Sequence, residues 1–132
     1  MPGECRKPRI LYAEDDRLIA GAIADVLADF GFTVCCAADG IEAVKAAEAF
    51  SFDVLLTDLE MPRMNGLELV AALRADTPSL PVVVLTGNPP DGGASAFAGL
   101  GSGPFVLLSK PARLDDIEAA LAQVMEGGIL SA

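Results

Sequence analysis

Five short apolar runs, each ending on polar residues and separated by helical patterns, constrain this chain more than any other feature. Ile10-Leu11-Tyr12-Ala13 runs into Glu14-Asp15-Asp16, and Phe32 to Ala37 runs toward Asp39. Val54-Leu55-Leu56-Thr57 ends on Asp58, Pro81 to Leu85 on Thr86, and Phe105 to Leu108 on Ser109-Lys110-Pro111. Runs this short, rich in Val, Ile and Leu, read as strands, and the fourth, almost wholly apolar, as one buried on both faces. Between them, Leu18, Ile19, Ala22, Ile23, Val26, Leu27 and Phe30 repeat with helical spacing and predict an amphipathic helix stopped by Gly31. Asp39 is placed to cap a helix through Ile41, Val44, Ala47 and Phe50, and a third helix carries Leu69, Val70 and Leu73. Leu114, Ile117, Leu121, Val124 and Met125 mark a closing helix, with Gly127-Gly128 as its expected stop. Strand and helix in alternation predict an α/β fold, a parallel sheet covered by helices on both faces and joined by right-handed crossovers.

Composition narrows the chemistry. The 132 residues suffice for one domain with a real core, and a hydrophobic share of 52% excludes disorder as the main state. Residues 1–8 read as an N-terminal extension, 9–126 as the folded unit and 127–132 as a tail. No apolar run approaches the roughly 20 residues of a membrane helix, and MPGECRKPRI lacks a signal-peptide core. Nine basic against 19 acidic side chains leave a net charge of −10, which disfavours phosphate backbones and anionic membranes. There is no histidine, which excludes histidine-activated nucleophiles, most zinc sites and a phosphohistidine of the chain's own. Cys5, Cys35 and Cys36 form no CxxC pair, and adjacent strand cysteines point to opposite faces. Reduced thiols in a cytoplasmic protein are the reading they support.

In a doubly wound sheet, ligands bind outside the carboxyl ends of the strands, where strand order reverses. Glu14, Asp15, Asp58, Thr86 and Lys110 all fall at that edge. Taken singly each has a plain explanation: a solvated acid, a strand-end hydroxyl, a surface lysine. Asp16 keeps its plain one, as a helix cap. Together, three clustered carboxylates repel one another, and a hard divalent cation such as Mg²⁺ resolves that repulsion with oxygen ligands. A carboxylate can also attack phosphorus to give an aspartyl phosphate, a reaction that needs positive charge around the transferring group. Lys110 and a cation supply that charge, and Thr86 offers a hydroxyl.

Ala13-Glu14-Asp15-Asp16, Thr57 to Gly66 (TDLEMPRMNG), Leu85-Thr86-Gly87 and Ser109-Lys110-Pro111 together resemble the response-regulator receiver domain of two-component signalling. The resemblance runs from about Arg9 to Met125. It implies a flavodoxin-like five-stranded sheet in the order 2-1-3-4-5. It implies Asp58 as phosphoacceptor, with Mg²⁺ (for which Mn²⁺ can stand in) held by Glu14, Asp15, Asp58 and the main-chain carbonyl of Glu60. Thr86 is then the switch hydroxyl, Lys110 the phosphoryl contact, and the Lys110–Pro111 bond is expected to be cis. The Glu60 side chain and Asn88 take positions that tune water access. The implied phosphodonor is a histidine kinase or histidine phosphotransfer protein; because the closing helix takes up the chain to about Met125, output is expected to go to an unknown downstream protein, with no direct DNA or membrane contact.

Two features depart from the family pattern. The position that usually holds an inward-turning aromatic ring is Leu107, with Phe105 two residues earlier. Residues 87–104 contain nine Gly or Pro in eighteen, so only a weak helix around Ala94–Ala98 is expected. A switch that orders or reshapes this segment is therefore the expectation. Other readings are weaker. Aspartate-based phosphatases place their acceptor after the first strand in an Asp-x-Asp motif. Toprim-type enzymes need basic surface for nucleic acid. A degenerate receiver serving as a phosphorylation-independent interaction module is the principal alternative.

Overall fold

The computed structural model describes residues 7–130. The first six residues of the N-terminal extension, Cys5 among them, and residues 131–132 of the tail lie outside the described residues. The sheet is built from β1 (Arg9–Ala13), β2 (Thr33–Ala37), β3 (Val54–Asp58), β4 (Val82–Thr86) and β5 (Phe105–Ser109), all parallel, in the order β2-β1-β3-β4-β5. Four α-helices cover it: α1 (Arg17–Asp29), α2 (Gly40–Ala49), α3 (Gly66–Asp76) and α4 (Leu114–Leu130). The expected doubly wound α/β architecture and strand order are both present.

Alternation along each strand divides the core in two. Ile10, Tyr12, Val54, Leu56, Val83 and Leu85 point to one face and pack with Leu27, Ile117, Leu121 and Val124 of α1 and α4. Leu11, Leu55, Val82 and Val84 point to the other and pack with Ala43, Leu69 and Val70 of α2 and α3. Every residue of β3 and β4 is buried, as continuous apolar strands require. Cys35 packs toward the second face and Cys36 lies exposed; both are free thiols.

Caps set the helix starts. Asp16 accepts from the N–H groups of Leu18 and Ile19, and Asp39 from that of Glu42. Asn65 and Glu68 form a reciprocal capping box on α3. The ends differ from expectation in one place. Gly127-Gly128 does not stop α4, which continues to Leu130; a helical glycine costs about 1 kcal/mol without breaking the chain of hydrogen bonds. The apolar stripe of α1 is also wider than its buried face, since Leu18 is 87% and Ile19 43% exposed.

Between β4 and β5 no α-helix forms. A short 3₁₀ helix at Gly93–Phe97 takes its place, one residue ahead of the expected weak helix. The segment is nevertheless packed. Phe97 is buried, its ring centroid 4.6 Å from that of Phe105. The buried guanidinium of Arg74 donates to the carbonyls of Leu80 (3.0 and 2.7 Å) and Pro104 (2.9 Å). Gly103 is required at its position, because a Cβ there would lie 2.5 Å from the backbone of Ser79. An open chain awaiting order is therefore replaced by a packed segment, and only the reshaping half of the expected switch is compatible with it.

Candidate functional site

The ladder register brings the site residues level. Ala13 pairs with Thr57, and Asp58 with Leu85, so Glu14 follows β1 at the height where Asp58 ends β3. Thr86 pairs with Ser109, which puts Lys110 one step beyond β5, with its N–H on the Thr86 carbonyl at 2.7 Å. The Lys110–Pro111 peptide is cis. Gly66 closes the β3–α3 loop against the strand end; a Cβ there would sit 2.5 Å from the carbonyl oxygen of Asp58.

At this edge, ligand oxygens of Glu14, Asp15 and Asp58 all lie within 4.8 Å of one another. Glu14 and Asp58 are almost fully buried, whereas Asp15 is exposed. Glu14 Oε2 accepts from the Asp16 N–H at 3.1 Å. Glu14 Oε1 and Asp58 Oδ1 are buried; the Lys110 ammonium ion-pairs with Asp58 Oδ1 and stands 3.9 Å from Glu14 Oε1, which accepts no hydrogen bond from the described residues. One ammonium thus faces three carboxylates.

The electrostatics follow. Burial raises the Glu14 carboxyl above its ordinary range; the Asp16 amide opposes this, Asp58 adds to it, and Lys110 opposes it. Burial likewise raises Asp58, against the pull of Lys110, with Glu60 and Asp15 pushing the same way as burial. Burial alone would lower Lys110, but Asp58, Glu14 and Glu60 outweigh it and hold the ammonium protonated. A buried Glu14 oxygen that accepts no hydrogen bond from the described residues, clustered with the carboxylates of Asp15 and the Lys110-paired Asp58, fits a hard divalent cation, and oxygen-only donors suit Mg²⁺.

Thr86 is fully buried at the end of β4. Its hydroxyl donates to Glu60 Oε2 at 2.5 Å and accepts from the Asn88 N–H at 3.0 Å. Sequence reasoning assigned Thr86, Glu60 and Asn88 separate tasks; the fold makes them one hydrogen-bonded chain. Leu107 is half-buried in the α2/α3-side core, and Phe105, on the same face, is engaged with Phe97. Two further residues escaped sequence reasoning. Tyr12 is wholly buried with no hydrogen-bond partner for its hydroxyl among the described residues, and burial, together with Glu14 and Asp58, pushes its pKa far above that of the usual phenol. Arg63, at φ 67°, ion-pairs with Asp39 at 2.5 Å and ties the β3–α3 loop to the start of α2. Neither has a local signal in sequence, because Tyr12 depends on what packs over β1 and Arg63 on two loops brought together by the sheet.

Among the described residues no helix is long and apolar enough to cross a membrane. The Response regulator receiver domain family matches residues 10–122. Response regulator MprA of Mycobacterium ulcerans (strain Agy99) is 35% identical over 117 residues, covering 89% of this chain and 50% of the relative, so the chain spans about half the length of that protein. Among solved structures, a receiver domain from Clostridium thermocellum superposes with a TM-score of 0.81 at 26% identity, covering 95% of this chain and 99% of the other. Chemotaxis protein CheY4 of Vibrio cholerae gives a TM-score of 0.78 at 28% identity, covering 89% and 98%. With its strand order, its acidic edge and its cis Lys110–Pro111 bond on the same sheet, this chain belongs to the response-regulator receiver domains of two-component signalling.

Proposed function

We propose that Asp58 is the phosphoacceptor of this receiver, taking a phosphoryl group from a phosphohistidine on a histidine kinase or histidine phosphotransfer protein. The observation that carries this reading is the buried Asp58 carboxylate, ion-paired with Lys110 and sharing a ligand cluster with Glu14 and Asp15. A carboxylate oxygen of Asp58 attacks phosphorus, the P–N bond to the donor imidazole breaks, and the imidazole keeps the electron pair. Lys110 stays with the phosphoryl oxygens and offsets their charge. Glu14, Asp15, Asp58 and the Glu60 carbonyl would hold Mg²⁺, which supplies charge neutralisation on the other side of the group. The Glu60 carbonyl accepts no backbone hydrogen bond from the described residues, which leaves it free for that task.

Access for the donor comes from α1. Leu18 and Ile19 expose apolar surface on its first turn, beside a groove lined by Ile19, Ile23, Lys110, Pro111, Ala112 and Ile117. An apolar donor surface seated there reaches Asp58 from the side of Lys110. Output by protein contact, a cytoplasmic setting and the absence of direct DNA contact belong to the same proposal, for residues 1–132 alone.

The test is Mg²⁺-dependent labelling with acetyl phosphate or a phosphorylated histidine kinase, abolished in Asp58→Asn and by EDTA. A folded protein that never labels refutes the reading and leaves a phosphorylation-independent interaction module, which the missing helix between β4 and β5 would then favour.

A further inference from the structure

Thr86 places a buried hydroxyl at the site edge, and its hydrogen is already spent. The side chain is 0% exposed, and its proton goes to Glu60 Oε2 at 2.5 Å. The oxygen of the same hydroxyl holds the Asn88 N–H at 3.0 Å, so one group joins the β3–α3 loop to the start of the β4–β5 segment. Beyond Asn88 that segment lines a groove of about 680 Å³ together with Glu60, Pro90 and Phe97, and Phe97 is the buried residue that seats the 3₁₀ helix against Phe105.

A phosphoryl oxygen on Asp58 cannot recruit the Thr86 hydroxyl while Glu60 holds it, since a hydroxyl has one hydrogen to donate. The acceptor it would leave is a carboxylate, and hydrogen bonds to ionised acceptors are the stronger kind. Leaving it also moves the oxygen on which the Asn88 amide rests.

We propose that Glu60 is a positioning residue: its carboxylate retains the Thr86 hydroxyl in the unphosphorylated protein, and transfer of that hydroxyl from Glu60 to a phosphoryl oxygen frees Asn88 and reshapes residues 88–97. The inference rests on Asp58 as phosphoacceptor. It gives this chain a switch that runs through a carboxylate and a backbone amide, at a site whose usual aromatic position is Leu107.

A second effect of Glu60 has to be separated from this one. Its charge is felt at both Asp58 and Lys110, so removing it would favour any anion at Asp58 by simple repulsion relieved. A double-mutant cycle separates the two. Affinity for beryllofluoride in saturating Mg²⁺ is measured for the wild type, Glu60→Ala, Thr86→Val and the double variant, with Asn88 amide exchange followed in each. Retention predicts that Glu60→Ala tightens beryllofluoride binding about tenfold in the wild-type background, the scale of one charge-assisted hydrogen bond, and less than about twofold when Thr86 is already Val. It also predicts that Asn88 exchange without any ligand rises in Thr86→Val, which removes the acceptor, and rises less in Glu60→Ala, which only frees the hydroxyl to turn away. An equal fold-change in both backgrounds overturns retention and leaves plain repulsion. A wild type that binds no beryllofluoride overturns the phosphoacceptor reading itself, and retention falls with it.

Discussion

Glu14→Gln isolates what the acidic edge costs the fold and what a cation returns. Glu14 is 3% exposed, shares its cluster with Asp15 and Asp58 inside 4.8 Å, and has one ammonium at 3.9 Å. At an effective dielectric of about 20, a like charge within 4.8 Å costs at least about 3.5 kcal/mol and an opposite charge at 3.9 Å returns about 4 kcal/mol. Attraction to Lys110 therefore cancels repulsion from Asp58, and the exposed Asp15 adds only a screened remainder. What is left is burial of the carboxylate, which costs up to several kcal/mol for an incompletely paired ion. Glutamine keeps the bond from the Asp16 amide and sheds the charge. The variant is expected to be more stable than wild type by about 1–3 kcal/mol without metal, a rise in Tm of roughly 4–10 °C for a chain this size. With Mg²⁺ at ten times its Kd the wild type gains about 1.4 kcal/mol, or about 5 °C, and the variant much less. Thermal melts by circular dichroism in EDTA and in Mg²⁺ check both. A variant less stable than wild type in EDTA, or one that gains equally from Mg²⁺, refutes the reasoning.

Tyr12→Phe removes a buried hydroxyl that has no partner among the described residues, and it is expected to be neutral or stabilising by about 1 kcal/mol in urea unfolding, with the fold unchanged. Arg74→Met strands the carbonyls of Leu80 and Pro104 and is expected to cost about 2 kcal/mol, with amide exchange rising first at Ser102 and Gly103. Gly66→Ala forces the Asp58 carbonyl away from the loop and is expected to cost about 1–3 kcal/mol while weakening Mg²⁺ binding, read by calorimetric titration. The pH dependence has a definite sign. Glu14 and Asp58 are raised in the fold, so without metal their unfavourable contribution is complete above their folded values and disappears as protons bind. Metal-free Tm is thus expected to gain from these two groups as pH falls through that raised range, while the Mg²⁺-induced gain is lost over the same interval.

The α/β class, the five strands and the sheet edge carrying Glu14, Asp15, Asp58, Thr86 and Lys110 were legible in the chain itself. Strand alternation and helix caps are local, so Asp16 and Asp39 could be read by position alone. Less was legible where glycines interrupt a pattern. Gly127-Gly128 reads as a stop, yet α4 continues; residues 87–104 read as a segment with at most a weak helix, yet Arg74 and Phe97 pin it. Both outcomes depend on contacts from elsewhere in the fold.

The sequence by itself determined which chemical groups stand at the carboxyl ends of the strands, because strand polarity and length are written in apolar runs. Only the tertiary structure decided how those groups are partnered. The pairing of Thr86 with Glu60, of Arg63 with Asp39 and of Lys110 with Asp58 joins residues far apart in the chain. Those partnerships also decide which carboxylate oxygens stay unsatisfied. Hydrogen bonds and ion pairs act over a few ångströms in space, and a linear pattern holds no record of that distance.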